Sequence, residues 1–172
     1  MTDIVRAALL GAVVASVAAP ASAASFIVNS GDGFIGSAGE GNGRGQGLLV
    51  GEDFTMAALA IEADLVAKSY DVQVYASGDG SAAGALLYEV SGAAGGTGFG
   101  WNEIATDFDF LAGAYYIVNW RPTDLEFNNW ANSIAYFRDS ALPVTVGPVT
   151  LVEGLAGAMA ERPDNSLHPN FR

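Results

Sequence analysis

The stretch WNEIATDFDFLAGAYYIVNW, residues 101–120, carries the clearest structural signal in the chain. In its first half Ile104, Thr106, Phe108 and Phe110 fall on one face, with Asp107 and Asp109 on the other. In its second half Tyr116, Val118 and Trp120 alternate with Tyr115, Ile117 and Asn119. A period of two residues sends successive side chains to opposite faces of a pleated strand. Aromatic and β-branched residues, which fit such a surface, dominate both halves. Ala112-Gly113 separates them as a turn. The second half is apolar on both faces, as a central strand of a sandwich is.

The same period recurs upstream. Tyr70, Val72 and Val74 alternate with Asp71, Gln73 and Tyr75, and Leu86, Tyr88 and Val90 surround Leu87 and Glu89. Ser77-Gly78-Asp79-Gly80 lies between them, so residues 70–76 and 86–90 are predicted to form a hairpin with a long tip. Residues 56–68 carry two signals. Their Ala, Leu and Glu content favours helix, whereas Leu59, Ile61, Ala63 and Leu65 alternate with Ala60, Glu62 and Asp64. The alternation is taken to decide for strand. Residues 25–28, 48–55, 134–138 and 144–152 add further strands. Residues 29–47 hold eight glycines and are predicted to be a long loop, of a length uncommon unless it moves or serves a function. Residues 92–100, 121–132 and 154–170 read as loops, and a final strand at 170–172 has room only to be very short. Ser30-Gly31-Asp32-Gly33 repeats the tetrapeptide at 77–80, which reads as turn chemistry used twice. About nine strands separated by turn signals, with no helical period long enough for a crossover helix, predict an all-β fold. The expected architecture is an antiparallel β-sandwich of jelly-roll type.

The amino terminus reads differently. Residues 1–6 carry Arg6, residues 7–19 are almost entirely Ala, Leu, Val and Gly, Pro20 interrupts them, and Ala21-Ser22-Ala23 follows. These are the parts of a secretory signal peptide. The expected organisation is a helical signal peptide at 1–23 and a single sandwich domain at 24–172. The apolar run is shorter than the roughly 20 residues that span a bilayer. Residues 144–159 are interrupted by Gly147, Pro148, Glu153 and Gly154, so no membrane span is expected after cleavage. The chain is expected to be secreted to the extracellular space, or periplasmic if retained.

Composition then narrows the chemistry. The 172 residues include no cysteine, which rules out disulfides, thiol catalysis and cysteine-ligated zinc. The net charge of −12 repels phosphate backbones and argues against nucleic acid. It leaves calcium or a basic partner electrostatically allowed, and it also accounts simply for solubility.

Catalysis has little material. His168 is the one histidine and sits beside Pro169, with Ser166 the nearest serine and no nucleophile-elbow motif. Glu62/Asp64 and Asp107/Asp109 are i, i+2 pairs that could space two carboxylates for glycoside hydrolysis. Both pairs occupy the polar face of an alternating strand, where solvated carboxylates are ordinary. For calcium the candidates are Asp32 and Asp79, with Asp71 and Asp53 also in or beside glycine-rich turns, though no EF-hand spacing exists. Asx-turns explain such aspartates without a metal. For carbohydrate the candidate is the segment 119–132. There Trp130, with Phe127, Asn128, Asn129 and Arg121, combines flat aromatics with hydrogen-bonding side chains. Trp101, Trp120 and Tyr116 are assigned to the core instead.

Trp101-Asn102-Glu103, Asp107-Phe108 and Leu111-Ala112-Gly113-Ala114-Tyr115-Tyr116-Ile117 together resemble a pattern of bacterial exported β-sandwich proteins. Val72-Gln73-Val74-Tyr75, Gly84-Ala85-Leu86-Leu87 and the closing residues 165–172 are similar to other parts of it. Many such domains occur in proteins of the PEP-CTERM, exosortase-sorted type from exopolysaccharide-producing bacteria. The resemblance covers about residues 48–172 and implies that the strands around Gly113 pair as two central strands. It transfers no catalytic residue. The Pro-Glu-Pro motif, apolar helix and basic tail of that type are not found here, so free secretion is expected rather than anchoring. The function expected is that of a secreted, non-enzymatic module, binding or structural, of the extracellular matrix or cell surface. The alternatives are a lectin-like carbohydrate-binding domain with an extracellular polysaccharide as partner, and a secreted glycan-active hydrolase. Self-association through exposed edge strands is also open to an all-β chain.

Overall fold

The computed structural model describes residues 25–28, 36–39, 43–65, 69–93, 98–123, 133–137, 142–156, 162–163, 168–169 and 171. The expected signal peptide lies outside them. Among the described residues the chain forms strands only. They are β1 (Gly36–Gly39), β2 (Arg44–Val50), β3 (Phe54–Asp64), β4 (Ser69–Ser77), β5 (Leu86–Ala93) and β6 (Gly100–Phe110). Then come β7 (Tyr115–Pro122), β8 (Ser133–Phe137), β9 (Val144–Val146), β10 (Val149–Ala156), β11 (Arg162–Pro163) and β12 (His168–Pro169). No helix of the described residues is long and apolar enough to cross a membrane.

Two antiparallel sheets face each other as a β-sandwich. The first runs β1-β8-β3-β6 with β12 beside β8, and the second runs β11-β10-β2-β7-β4-β5 with β9 beside β10. The alternation at 56–68 is therefore strand, and β4 and β5 pair as the predicted hairpin. Leu59, Ile61 and Ala63 of β3 meet Tyr70, Val72 and Val74 of β4 and Tyr116, Val118 and Trp120 of β7 in one core.

Several expectations are corrected. β6 and β7 do not pair with each other; they lie in opposite sheets. Gly113, with φ of 79°, helps turn the chain from one layer to the other. The apolar faces of the two strands then meet across the sandwich, with Phe110 and Tyr116 edge to face at 4.9 Å. Residues 29–47 are not one loop, because β1 and the first half of β2 fall inside them. Residues 144–152 are two strands, since Gly147 (φ 55°) and Pro148 turn the chain back on itself. Residues 154–170 are not all loop either: β10 runs on to Ala156, and β11 and β12 follow. Residues 25–28 contribute only a bridge, Val28 to Phe171, and Phe171 also bridges Ile61.

The glycines of β2 have a reason the sequence does not reveal. The tip of the β4–β5 hairpin folds over the outer face of the second sheet. A Cβ on Gly47 would stand 1.9 Å from the Gly80 carbonyl oxygen. Under this flap Tyr75, Ile117 and Leu155 form a second small apolar cluster against Ala83.

The core also holds two polar atoms with no hydrogen-bond partner among the described residues, the Tyr70 hydroxyl and the Trp120 indole nitrogen. Burial pushes the Tyr70 pKa above 10.0, and the Glu103 charge pushes the same way. A raised folded value means that this contribution to stability is full below pH 10.0 and is lost as pH rises through the folded pKa. Tyr70→Phe removes the stranded hydroxyl. It is expected to raise stability by about 1 kcal/mol at neutral pH and to remove this alkaline loss, as read by urea unfolding at about pH 7 and about pH 11.

Candidate functional site

The sheets do not close evenly. β3 pairs with β8 only at Ala63 and Asp64. Among the described residues, positions 54–60 of β3 meet no strand on that edge. The short segment 25–28 and Phe171 stand there instead. Val28 donates its amide to the Phe171 carbonyl at 2.8 Å, and its own carbonyl accepts from Gln46 Nε2 at 2.9 Å. These contacts tie both sheets to the terminal segments. Beside them a cleft of about 620 Å³ remains between the layers, within the range of about 300–1,000 Å³ usual for small-molecule sites.

Its walls are apolar. β2 supplies Leu48, β3 supplies Phe54, Met56 and Leu59, and β7 supplies Val118 from the far layer. Phe26 packs edge to face on Phe54 at 6.0 Å, over the turn at Gly147. Phe54 in turn stacks on Phe110 at 4.8 Å. Solvent reaches these walls. Val28, Leu48, Met56 and Leu59 keep 5–8% exposure, and Phe110, Val118, Val149 and Phe171 keep 1–2%. Three exposed carboxylates also line it, Glu52, Asp53 and Glu103. Asp53 accepts the Ala112 amide at 2.7 Å. Among the described residues no basic side chain lines the cleft.

Of the residues singled out from sequence, Asp53 lines the cleft. Trp130, Phe127, Asn128, Asn129 and Asp32 are outside the described residues. Arg121 is in β7 rather than in a loop, and its Nε and Nη2 donate to Asp71 Oδ2 at 3.0 and 2.8 Å. Glu89 stands 3.8 Å from the same guanidinium, and Ser91 donates to the other Asp71 oxygen at 2.8 Å. Gln73, Tyr75 and Asn119 continue this polar layer, the Gln73 carbonyl accepting from Tyr75 at 2.9 Å and from Asn119 at 3.1 Å. Arg121 is thus bound into a network on the sheet's outer face.

Asp79 accepts the amide of Ser81 at 2.9 Å and its hydroxyl at 2.7 Å. Those two hydrogen bonds, the backbone one first, hold its carboxyl below the usual 3.8. This is the turn chemistry that needs no metal. Among the described residues, no three of His, Asp and Glu gather as a metal site would require.

Of the two carboxylate pairs, Asp107 and Asp109 are exposed and Glu62 and Asp64 are half-buried. Asp109 accepts from Thr55, and Asp64 accepts the Gly98 amide at 3.1 Å. Trp120 and Tyr116 are core as expected. Trp101 is not: it is half-buried and lies opposite Glu62, in the register that faces away from the core.

The chain matches no family model, no curated protein and no solved structure. The cleft therefore has to be read from its own chemistry. The sequence carried one faint sign of it, the phenylalanines at 26, 54 and 171. Phe26 and Phe54 stand near the ends of apolar runs, Phe171 is flanked by Asn170 and Arg172, and nothing in their spacing brings the three together.

Proposed function

We propose that this chain is an exported, non-enzymatic binding module that holds a small apolar ligand in the cleft between its sheets and works outside the cell without turnover. The observation that carries this reading is the cleft itself: a space of about 620 Å³ walled by aromatic and aliphatic side chains. Burying an apolar ligand there is favourable by about 25 cal/mol for each Å² removed from water. Arg121, Asp71 and Asp79 are engaged in turn and outer-face hydrogen bonds, as are Asp64 and Asp109 in bonds of their own. That arrangement suits holding a ligand better than transforming one. The leader-like segment at 1–23 supports export to the matrix or the cell surface.

The neutral dye N-phenyl-1-naphthylamine tests the reading with residues 24–172. Its fluorescence is expected to rise and saturate at one dye per chain. Ala58 lines the cleft and is exposed, so an indole added there can cover the opening without crowding the core. Ala58→Trp is expected to weaken dye binding about tenfold, the equivalent of roughly 1.4 kcal/mol, with an unchanged unfolding midpoint. A linear, unsaturable dye response would sink the proposal.

A further inference from the structure

We propose that a second copy of this chain docks on β5, the two β5 strands pairing antiparallel about a two-fold axis at Val90 and joining two seven-stranded sheets into one. β5 ends its sheet, with β4 as its one neighbour among the described residues. Which of its backbone groups are free follows from β4. Thr123 donates its amide to the Ser69 carbonyl at 3.1 Å, and Tyr70 lies opposite Pro122, which has no amide hydrogen. Ser69, Asp71 and Gln73 therefore turn their backbone groups to β7, and Tyr70, Val72 and Val74 turn theirs to β5. Ala76 agrees: its amide donates to the Ala85 carbonyl at 2.9 Å and its carbonyl accepts the Gly84 amide at 2.8 Å, both on the β5 side. In the paired register Gly92, Val90 and Tyr88 face Tyr70, Val72 and Val74. The amides and carbonyls of Glu89, Ser91 and Ala93 then point outward. Among the described residues no backbone group bonds to them.

This edge lacks the charges and prolines that usually keep strands apart. Leu86 and Leu87 are each 49% exposed. Glu89 is the one charged residue of β5; it accepts from Gln73 and stands 3.8 Å from the Arg121 guanidinium. β6, the end strand of the other sheet, differs. It carries Glu103, Asp107 and Asp109, and the Tyr88 hydroxyl takes its Asp107 amide at 3.1 Å. Across a β5 pair, outward groups can bond only to outward groups. Of the symmetric registers this allows, those centred on Glu89 and on Val90 overlap the most of Leu86–Ala93. The first sets Glu89 against Glu89. The second sets Glu89 against Ser91, Val90 against Val90 and the exposed Leu87 against Ala93. Like charges directly opposite destabilise a pair of strands, and β-branched pairs stabilise it, so the Val90 register is favoured. A two-fold interface repeats each of these contacts. The net charge of −12 on each copy opposes the approach, and salt screens that opposition. A basic partner strand would show the reverse salt dependence.

Sedimentation velocity of residues 24–172, from micromolar to near-millimolar protein and at about 20 and about 500 mM salt, tests the pairing. A reversible monomer–dimer equilibrium is expected, weak because a single strand junction buries little area, and tighter at the higher salt. Leu87 and Ala93 are both exposed, so substitutions there are expected to leave the unfolding midpoint unchanged. Leu87→Asp with Ala93→Asp puts like charges opposite each other twice and is expected to weaken the dimer at least about tenfold. Leu87→Lys with Ala93→Asp puts opposite charges there instead and is expected to restore the affinity of the unsubstituted chain or exceed it. A chain that stays monomeric at the highest protein and salt concentrations would overturn the proposal. So would a dimer that the two aspartates leave intact, one that the lysine–aspartate pair does not restore, or growth past the dimer into larger species.

Discussion

Gly47→Ala is expected to lower the unfolding free energy by about 3 kcal/mol, the upper end for overpacking a tight contact. The added methyl group would stand 1.9 Å from the Gly80 carbonyl oxygen and 2.8 Å from its carbonyl carbon. Both obstacles are backbone, so no side chain can rotate away. The hairpin tip cannot yield cheaply either. Ser77 Oγ accepts the Gly80 amide at 2.9 Å and donates to the Ala82 carbonyl at 2.8 Å. The Gly84 amide closes the tip on the Ala76 carbonyl at 2.8 Å. Lifting it would also uncover Tyr75, Ile117 and Leu155. At Gly78, in the same tip, an added Cβ would meet nothing within 4 Å, and Gly78→Ala is expected to change stability by less than about 0.5 kcal/mol. Urea unfolding of residues 24–172 reads both. A Gly47→Ala loss no larger than that of Gly78→Ala would show that the flap does not rest on β2.

Phe110→Ala is expected to cost about 4 kcal/mol, typical of a buried aromatic truncated to a methyl group. Phe110 is 1% exposed and joins three other rings. It stacks on Phe54 at 4.8 Å and meets Phe108 and Tyr116 edge to face at 4.8 and 4.9 Å. Such pairs add about 0.5–1.5 kcal/mol each beyond the area they bury. Because the Tyr116 contact crosses between sheets, its loss loosens the packing of one layer on the other. Phe110→Leu keeps most of the volume and is expected to cost about 1.5 kcal/mol. The next residue is the control: Leu111 is 58% exposed, and Leu111→Ala should stay within about 0.5 kcal/mol. Equal losses at 110 and 111 would mean that the aromatic stack does not join the layers.

The strands were legible where one face is buried and the other wet, because that contrast writes itself into every second residue. β6 is the plainest case: its inward Ile104, Thr106, Phe108 and Phe110 and its outward Asp107 and Asp109 are where the alternation puts them. β2 was half-hidden. Gly45 and Gly47 look like loop, and only the flap pressed on Gly47 explains why a strand there lacks a side chain. Arg121 looked available for a ligand because its partner Asp71 is fifty residues away. The cleft was hidden for the same reason, since its walls come from residues 25–28, β2, β3, β7 and Phe171 at once.

Local alternation, turn residues and charge were enough to establish that the body of the chain is all-β, where its longer strands β3 to β7 lie, and that its net charge is acidic. Those properties belong to neighbouring residues and need no knowledge of the rest of the chain. Which strands pair, that β6 and β7 face each other across the core rather than side by side, and that an apolar cleft lies beside β3 were decided only in three dimensions. Strand pairing depends on how two layers can bury their faces together, and that balance is struck among residues far apart along the chain.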